Sequence, residues 1–131
     1  MPHLVVDYSP NMETRTDLAA LCNVLRETAI STGVFPMAGV RVRAIRADHV
    51  SIADGQDIHG YVDITVRLRE GRDADTKKRA ANVLFEAAQS FLTPAMAVHP
   101  VALSLEIRDM QAEFALKGGT IRDHLNTEDT R

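Results

Sequence analysis

A single cysteine, Cys22, excludes an intramolecular disulfide. The opening Met-Pro-His-Leu-Val-Val-Asp has no basic segment followed by an apolar stretch, so no secretory signal is expected there. Both features point to a cytoplasmic protein. No run of about 20 apolar residues occurs, which removes a membrane-spanning helix. There is no basic excess either. Fifteen Lys and Arg against 18 Asp and Glu give a net charge of -3 and a pI near 5.9. A general nucleic-acid or membrane-surface binder should instead show a basic balance. The five histidines form no H-x-x-x-H pair and there is no C-x-x-C, so no metal site is expected. Gly39 and Gly118-Gly119 do not make a phosphate loop. Neither a G-x-S-x-G turn nor a Ser-His-Asp order is present.

What is present is ordinary in composition, 45% apolar and 25% charged. The 131 residues suggest one domain spanning 1–131. A chain this short buries about two thirds of its unfolded surface, so oligomerisation would help it. Leu4 to Ser9 reads as a strand. Asn11 can cap a helix over roughly Met12 to Ser31, with Leu18, Leu21, Cys22, Leu25 and Ala29 on one face, ended by Gly33 and Pro36. On that stripe Cys22 reads as core rather than nucleophile. Val40 to Ile45 alternates as a second strand, and Ala53 to Asp57 is a turn. Tyr61 to Arg69 alternates again, with Val62, Ile64, Val66 and Leu68 on one side. Asp73 caps a second helix whose apolar stripe runs from Ala80 to Leu92, with Pro94 as its stop. Val101 to Arg108 is the fourth strand, and the polar stretch from about 115 to 131 is a tail.

The order is β-α-β twice. The expected fold is α/β, a four-stranded sheet with two helices on one face and parallel pairing inside each unit. The opposite sheet face would carry Arg41, Arg43, Asp63, Arg67, Ser104, Glu106 and Arg108. Such a face is either solvated or packed against a symmetric partner.

Six residues stand out as candidates for chemistry. Removal of Met1 would leave Pro2 with a free secondary amine. An α-amino group ordinarily titrates near pH 7.7–8.0, and burial or nearby guanidinium groups lower that value. A base titrating near the working pH suits proton shuttling. Arg41 and Arg43 lie two apart on one strand face and can converge. Arg72 sits just before the second helix, at an end that favours anions. Arginine grips a carboxylate through a planar fork; taken singly, each is equally an ordinary surface charge. His3 and His59 could do acid-base work, although without ligand spacing either reads as a structural histidine.

The chain resembles the 5-carboxymethyl-2-hydroxymuconate isomerase family of the tautomerase superfamily. The resemblance rests on Met1-Pro2-His3, the stretch from Thr32 to Arg43, Ala53-Asp54-Gly55-Gln56, Gly71-Arg72, Leu84-Phe85-Glu86 and the stretch from Ala102 to Ile107. It covers nearly the whole chain and thins after Phe114. It implies a trimeric β-α-β repeat with sites near subunit interfaces and no cofactor. The implied reaction is a 1,3-proton shift on 5-carboxymethyl-2-hydroxymuconate in homoprotocatechuate (4-hydroxyphenylacetate) breakdown. Pro2 matches the family's amino-terminal proline, Arg41 its strand arginine and Arg72 its later arginine. Arg43 and His3 stand beside them as substrate-binding candidates for an anionic, multi-carboxylate ligand. Two alternatives stay open. One is another enzyme on the same scaffold, a phenylpyruvate- or oxalocrotonate-type tautomerase, a decarboxylase, or a dehalogenase using Asp7, Asp63 or Glu106 to activate water. The other is a non-enzymatic trimeric binding module.

Overall fold

Short runs of β-branched and alternating residues build four strands in a computed structural model that describes residues 2–125. They are β1 (His3–Tyr8), β2 (Arg41–Arg46), β3 (Gly60–Arg69) and β4 (Val101–Met110). The sheet order is β2-β1-β3-β4. β1 pairs parallel with β2, β3 pairs parallel with β4, and β1 and β3 join the two units antiparallel at the centre. Each β-α-β unit therefore closes on itself, as the sequence predicts, and the central pairing fuses them.

Helices α1 (Leu18–Ser31) and α2 (Ala74–Val98) cover one face. α1 packs on α2 and β2, and α2 on β4. Leu4, Val6, Val62, Ile64 and Val66 are fully buried beneath Leu21, Leu25, Leu84, Ala88 and Leu92. Each large aliphatic side chain so removed from water contributes about 1.5–3 kcal/mol. Gly33, with φ 71°, takes the left-handed position that ends α1.

Two boundaries differ from the sequence expectation. The first helix does not start at Met12 behind an Asn11 cap. Pro10–Thr14 is a separate 3-10 turn, and α1 begins at Leu18, where the Asp17 carboxylate accepts from the Ala20 N–H at 3.0 Å. Asn11 is used elsewhere: its amide donates to the Asp57 and His59 carbonyls, and its Oδ1 accepts from Ser9. A Cβ on Gly60 would stand 2.9 Å from both Asn11 Oδ1 and Arg15 Nη1, so this close approach needs glycine. Pro94 does not end α2, which runs on to Val98. Its ring is exposed while its neighbours Leu92 and Ala95 are buried. Burial on the inner side holds the helix together across the missing N–H. The capping role of Asp73 is as expected, its carboxylate accepting from the Thr76 N–H at 2.8 Å. That bond, from the backbone first and then the Thr76 side chain, holds the Asp73 carboxyl below its ordinary value.

Beyond β4, a 3-10 turn at Ala112–Phe114 and another at Ile121–His124 give the expected tail local structure as far as Leu125. The last six residues of that tail lie outside the described residues.

Candidate active site

The site is assembled where β1 starts. Proline is tolerated as the residue entering a strand, because it has no N–H to offer the ladder. Pro2 occupies that place. Its carbonyl accepts the Arg41 N–H at 3.2 Å, and its side chain is fully buried. Residue parity then turns His3 to the face without helices. There the register sets His3 opposite Arg41 on one side and Arg67 on the other, and Arg67 opposite Arg108. One row across the sheet thus reads Arg41, His3, Arg67, Arg108.

Arg41 Nη1 and His3 Nε2 lie 3.1 Å apart. A guanidinium has no acceptor, so Nε2 accepts and the His3 ring is neutral with its proton on Nδ1. The ring's pKa is lowered from its ordinary value, first by burial and then by the charges of Arg67, Arg41 and Arg43. His3 Nδ1 is itself buried and has no partner among the described residues.

Above this row lies a cleft of about 710 Å³. Its floor is His3, Arg41, Arg67 and Arg69, and its other wall is the segment from Met110 to Gly118. An adjoining cleft of about 320 Å³ shares Arg41, Lys117 and Gly118 and adds Pro36, Gly39 and Arg122. Arg41 lies at the junction of the two.

The other candidates fall as follows. Arg43 is exposed, two residues along β2 on the same face as Arg41, and reaches His3 through its charge. It lines neither cleft, and neither do Pro2 and Arg72. Arg72 is held by backbone: Nε and Nη2 donate to the Val34 carbonyl at 3.3 and 3.0 Å, and Nη1 donates to Arg69 at 3.1 Å. Its guanidinium stands 5.8 Å from the centre of the Phe35 ring, a cation–π distance. In this chain Arg72 fastens the loop after α1 to the entry of α2. His59 pairs with Asp54 at 2.7 Å inside the turn before β3, in keeping with a structural histidine.

Arg69, and Arg67 as a site residue, were not singled out by sequence reasoning. The signal was available: the outward phase of β3 runs Tyr61, Asp63, Thr65, Arg67, Arg69. Only the β1–β3 register shows that its last two members flank His3.

The carboxylates a hydrolytic chemistry would need are occupied at the other end of the face. Tyr61 donates to Asp7 at 2.7 Å and Ser104 to Asp63 at 2.6 Å, while Glu106 pairs with Arg108. Burial, then the bond to Asp7 and its charge, pushes the Tyr61 hydroxyl up to about 12. None of these carboxylates lines either cleft. Among the described residues, no group of three or more His, Cys, Asp and Glu is placed to hold a metal ion, and no helix is long and apolar enough to cross a membrane.

The fold agrees with comparisons to known proteins. Residues 2–125 match the family model described as 5-carboxymethyl-2-hydroxymuconate isomerase. The chain is 31% identical to the Escherichia coli 5-carboxymethyl-2-hydroxymuconate Delta-isomerase over 121 residues, covering 92% of this chain and 96% of that one. A crystal structure of a 5-carboxymethyl-2-hydroxymuconate delta-isomerase superposes with TM-score 0.89 at 29% identity, over 95% of this chain and 92% of the other. A second, the isomerase from Deinococcus radiodurans R1, gives 0.87 at 24% identity over 94% and 92% and supports the fold. The chain belongs to the 5-carboxymethyl-2-hydroxymuconate isomerase family.

Proposed function

We propose that this isomerase moves a proton on 5-carboxymethyl-2-hydroxymuconate in the cytoplasm, using Pro2 as its base after Met1 is removed and no cofactor. The observation that carries the reading is the junction of Pro2 and Arg41. The proline ring is buried at the origin of β1, and its carbonyl is bound to the backbone of an arginine that lines both clefts. Burial of the ring disfavours a protonated amine and so favours the free base that this reading needs. Pro2 then takes the proton from the 2-hydroxyl and returns one to the far carbon of the dienol. Arg41 meets charge building on the 2-oxo group and an adjacent carboxylate, where a charged donor acts most strongly. Arg43 and His3 shape the field around it, and Arg72, which lines neither cleft of its own chain, meets the same carboxylate from a neighbouring subunit.

The active assembly is a homotrimer on this reading. β2 and β4 are sheet edges with one side unpaired, and Phe114 and Leu116 are 76% and 99% exposed, so a neighbouring subunit has both backbone and apolar surface to cover. Sedimentation should give three times the 14.4 kDa chain mass.

The deciding experiment follows loss of dienol ultraviolet absorbance, with intact mass measured on the same sample. Pro2→Ala, and a chain with one residue ahead of Pro2, should each lose about 10²- to 10⁴-fold in kcat, the usual share of a general base. Full activity in protein whose mass includes Met1 would overturn the proposal.

A further inference from the structure

Two arginines of the larger cleft, Arg67 and Arg69, carry charge that no described carboxylate pairs. Arg26, Arg46, Arg108 and Lys77 each pair with a carboxylate. Arg67 and Arg69 also line a cleft, yet neither has an ion-pair partner among the described residues. Like charges kept together without counterions raise the free energy of the fold, and such arrangements mark places that meet an anion. Beside them His3 keeps a buried N–H without an acceptor.

The spacing says what kind of anion. Strands lie about 4.8 Å apart, so Arg67 and Arg41, two strands apart with His3 between them, are separated by roughly 10 Å at the backbone. Arg69 follows Arg67 at about 6.6 Å along β3 on the same face. One carboxylate cannot satisfy both ends of such a row. Two or more, held apart on one carbon skeleton, can. The cleft volume, 710 Å³, lies in the range of small-molecule sites, and Met110 and Phe114 offer apolar wall to the carbon chain.

We propose that Arg67 and Arg69 form a second carboxylate subsite, which holds the carboxymethyl arm of the substrate while Arg41 holds the reacting end. The inference rests on the function proposed above and adds to it the residues that select a tricarboxylate. They hold an arm of the substrate that takes no part in the proton transfer, so their contribution falls mainly on KM.

The test uses the full chain in its native assembly and two substrates, 5-carboxymethyl-2-hydroxymuconate and 2-hydroxymuconate, which lacks the arm. In Arg67→Ala and in Arg69→Ala the ratio of kcat/KM for the first over the second should fall about tenfold, the change expected from losing one charged pair. Arg67→Lys keeps the charge but not the fork, and should fall in between. Calorimetric titration with tricarballylate against glutarate reads the same selectivity without turnover, so it decides the subsite even where the isomerase reading fails. There the wild-type preference for tricarballylate should shrink by at least tenfold in the double variant, with the melting temperature recorded as a check on folding. An unchanged ratio, or an equal loss on both substrates and both probes, would overturn the proposal. If the alanine variants do not fold, Arg67→Lys decides by the same ratio.

Discussion

The two faces of the central sheet are made by the same strands, yet they do opposite things. Under the helices, Leu4, Val6, Ile64 and Val66 are fully buried and carry stability. One residue to either side along each strand, on the other face, His3, Asp7, Asp63 and Arg67 remain in contact with solvent or with one another. That second face is itself divided. Arg41, His3 and Arg67 stand together near the start of β1, whereas Asp7 and Asp63 face each other near its end. The period of two therefore separates fold from chemistry, and the register between strands separates a cationic end from an acidic one.

That contrast can be broken at adjacent residues. Leu4→Ala should cost about 2–5 kcal/mol in chemical denaturation, since the buried site cannot fully collapse. Val5→Ala, on the open face, should cost about 1 kcal/mol or less. Comparable losses at the two positions would mean that the second face is packed as tightly as the first. A smaller effect tests the helical layer that makes the first face apolar. Asp17→Ala should cost about 1 kcal/mol by removing the acceptor that caps α1, while Asn11→Ala should leave α1 itself intact and loosen the 57–60 turn, visible as faster amide exchange there.

The smallest effect concerns pH. Folding lowers the pKa of His3, so the unfolded chain takes up this proton first as pH falls below 6.5. The stabilisation from holding the ring neutral is fully present above 6.5. It is lost progressively as pH drops from 6.5 toward the lowered folded value. His3→Gln should flatten that limb of a melting-temperature profile, and wild type and variant should run parallel above pH 7.

Much of this was readable from one chain. A short apolar run gave the first strand, alternation the other three, helical spacing the two helices, and the β-α-β order the parallel pairing in each half. The misplaced start of α1 has a specific cause. Asn11 and Asp17 are both good caps, and Met12 is buried like a helix residue, so local signals could not separate them. The contest was decided 46 to 48 residues away, where Asn11 is drawn to Asp57 and His59. Pro94 misled for a similar reason: packing of Leu92 and Ala95 outweighs one missing hydrogen bond. At the site, Pro2, His3 and Arg41 could be picked out by residue type, but the flanking arginines of β3 could not.

The sequence by itself determined which side chains leave water, because burial follows a periodicity written residue by residue. It also determined the charges available and the proline at position two. Only the tertiary structure decided which of those charges meet. The antiparallel register of β1 with β3 brings Arg67 to His3 across 64 residues of chain, and the segment after β4 folds back to roof them. The physical reason is that a one-residue slip in that pairing would turn Arg67 and Arg69 to the face away from His3, and nothing local to either strand fixes it.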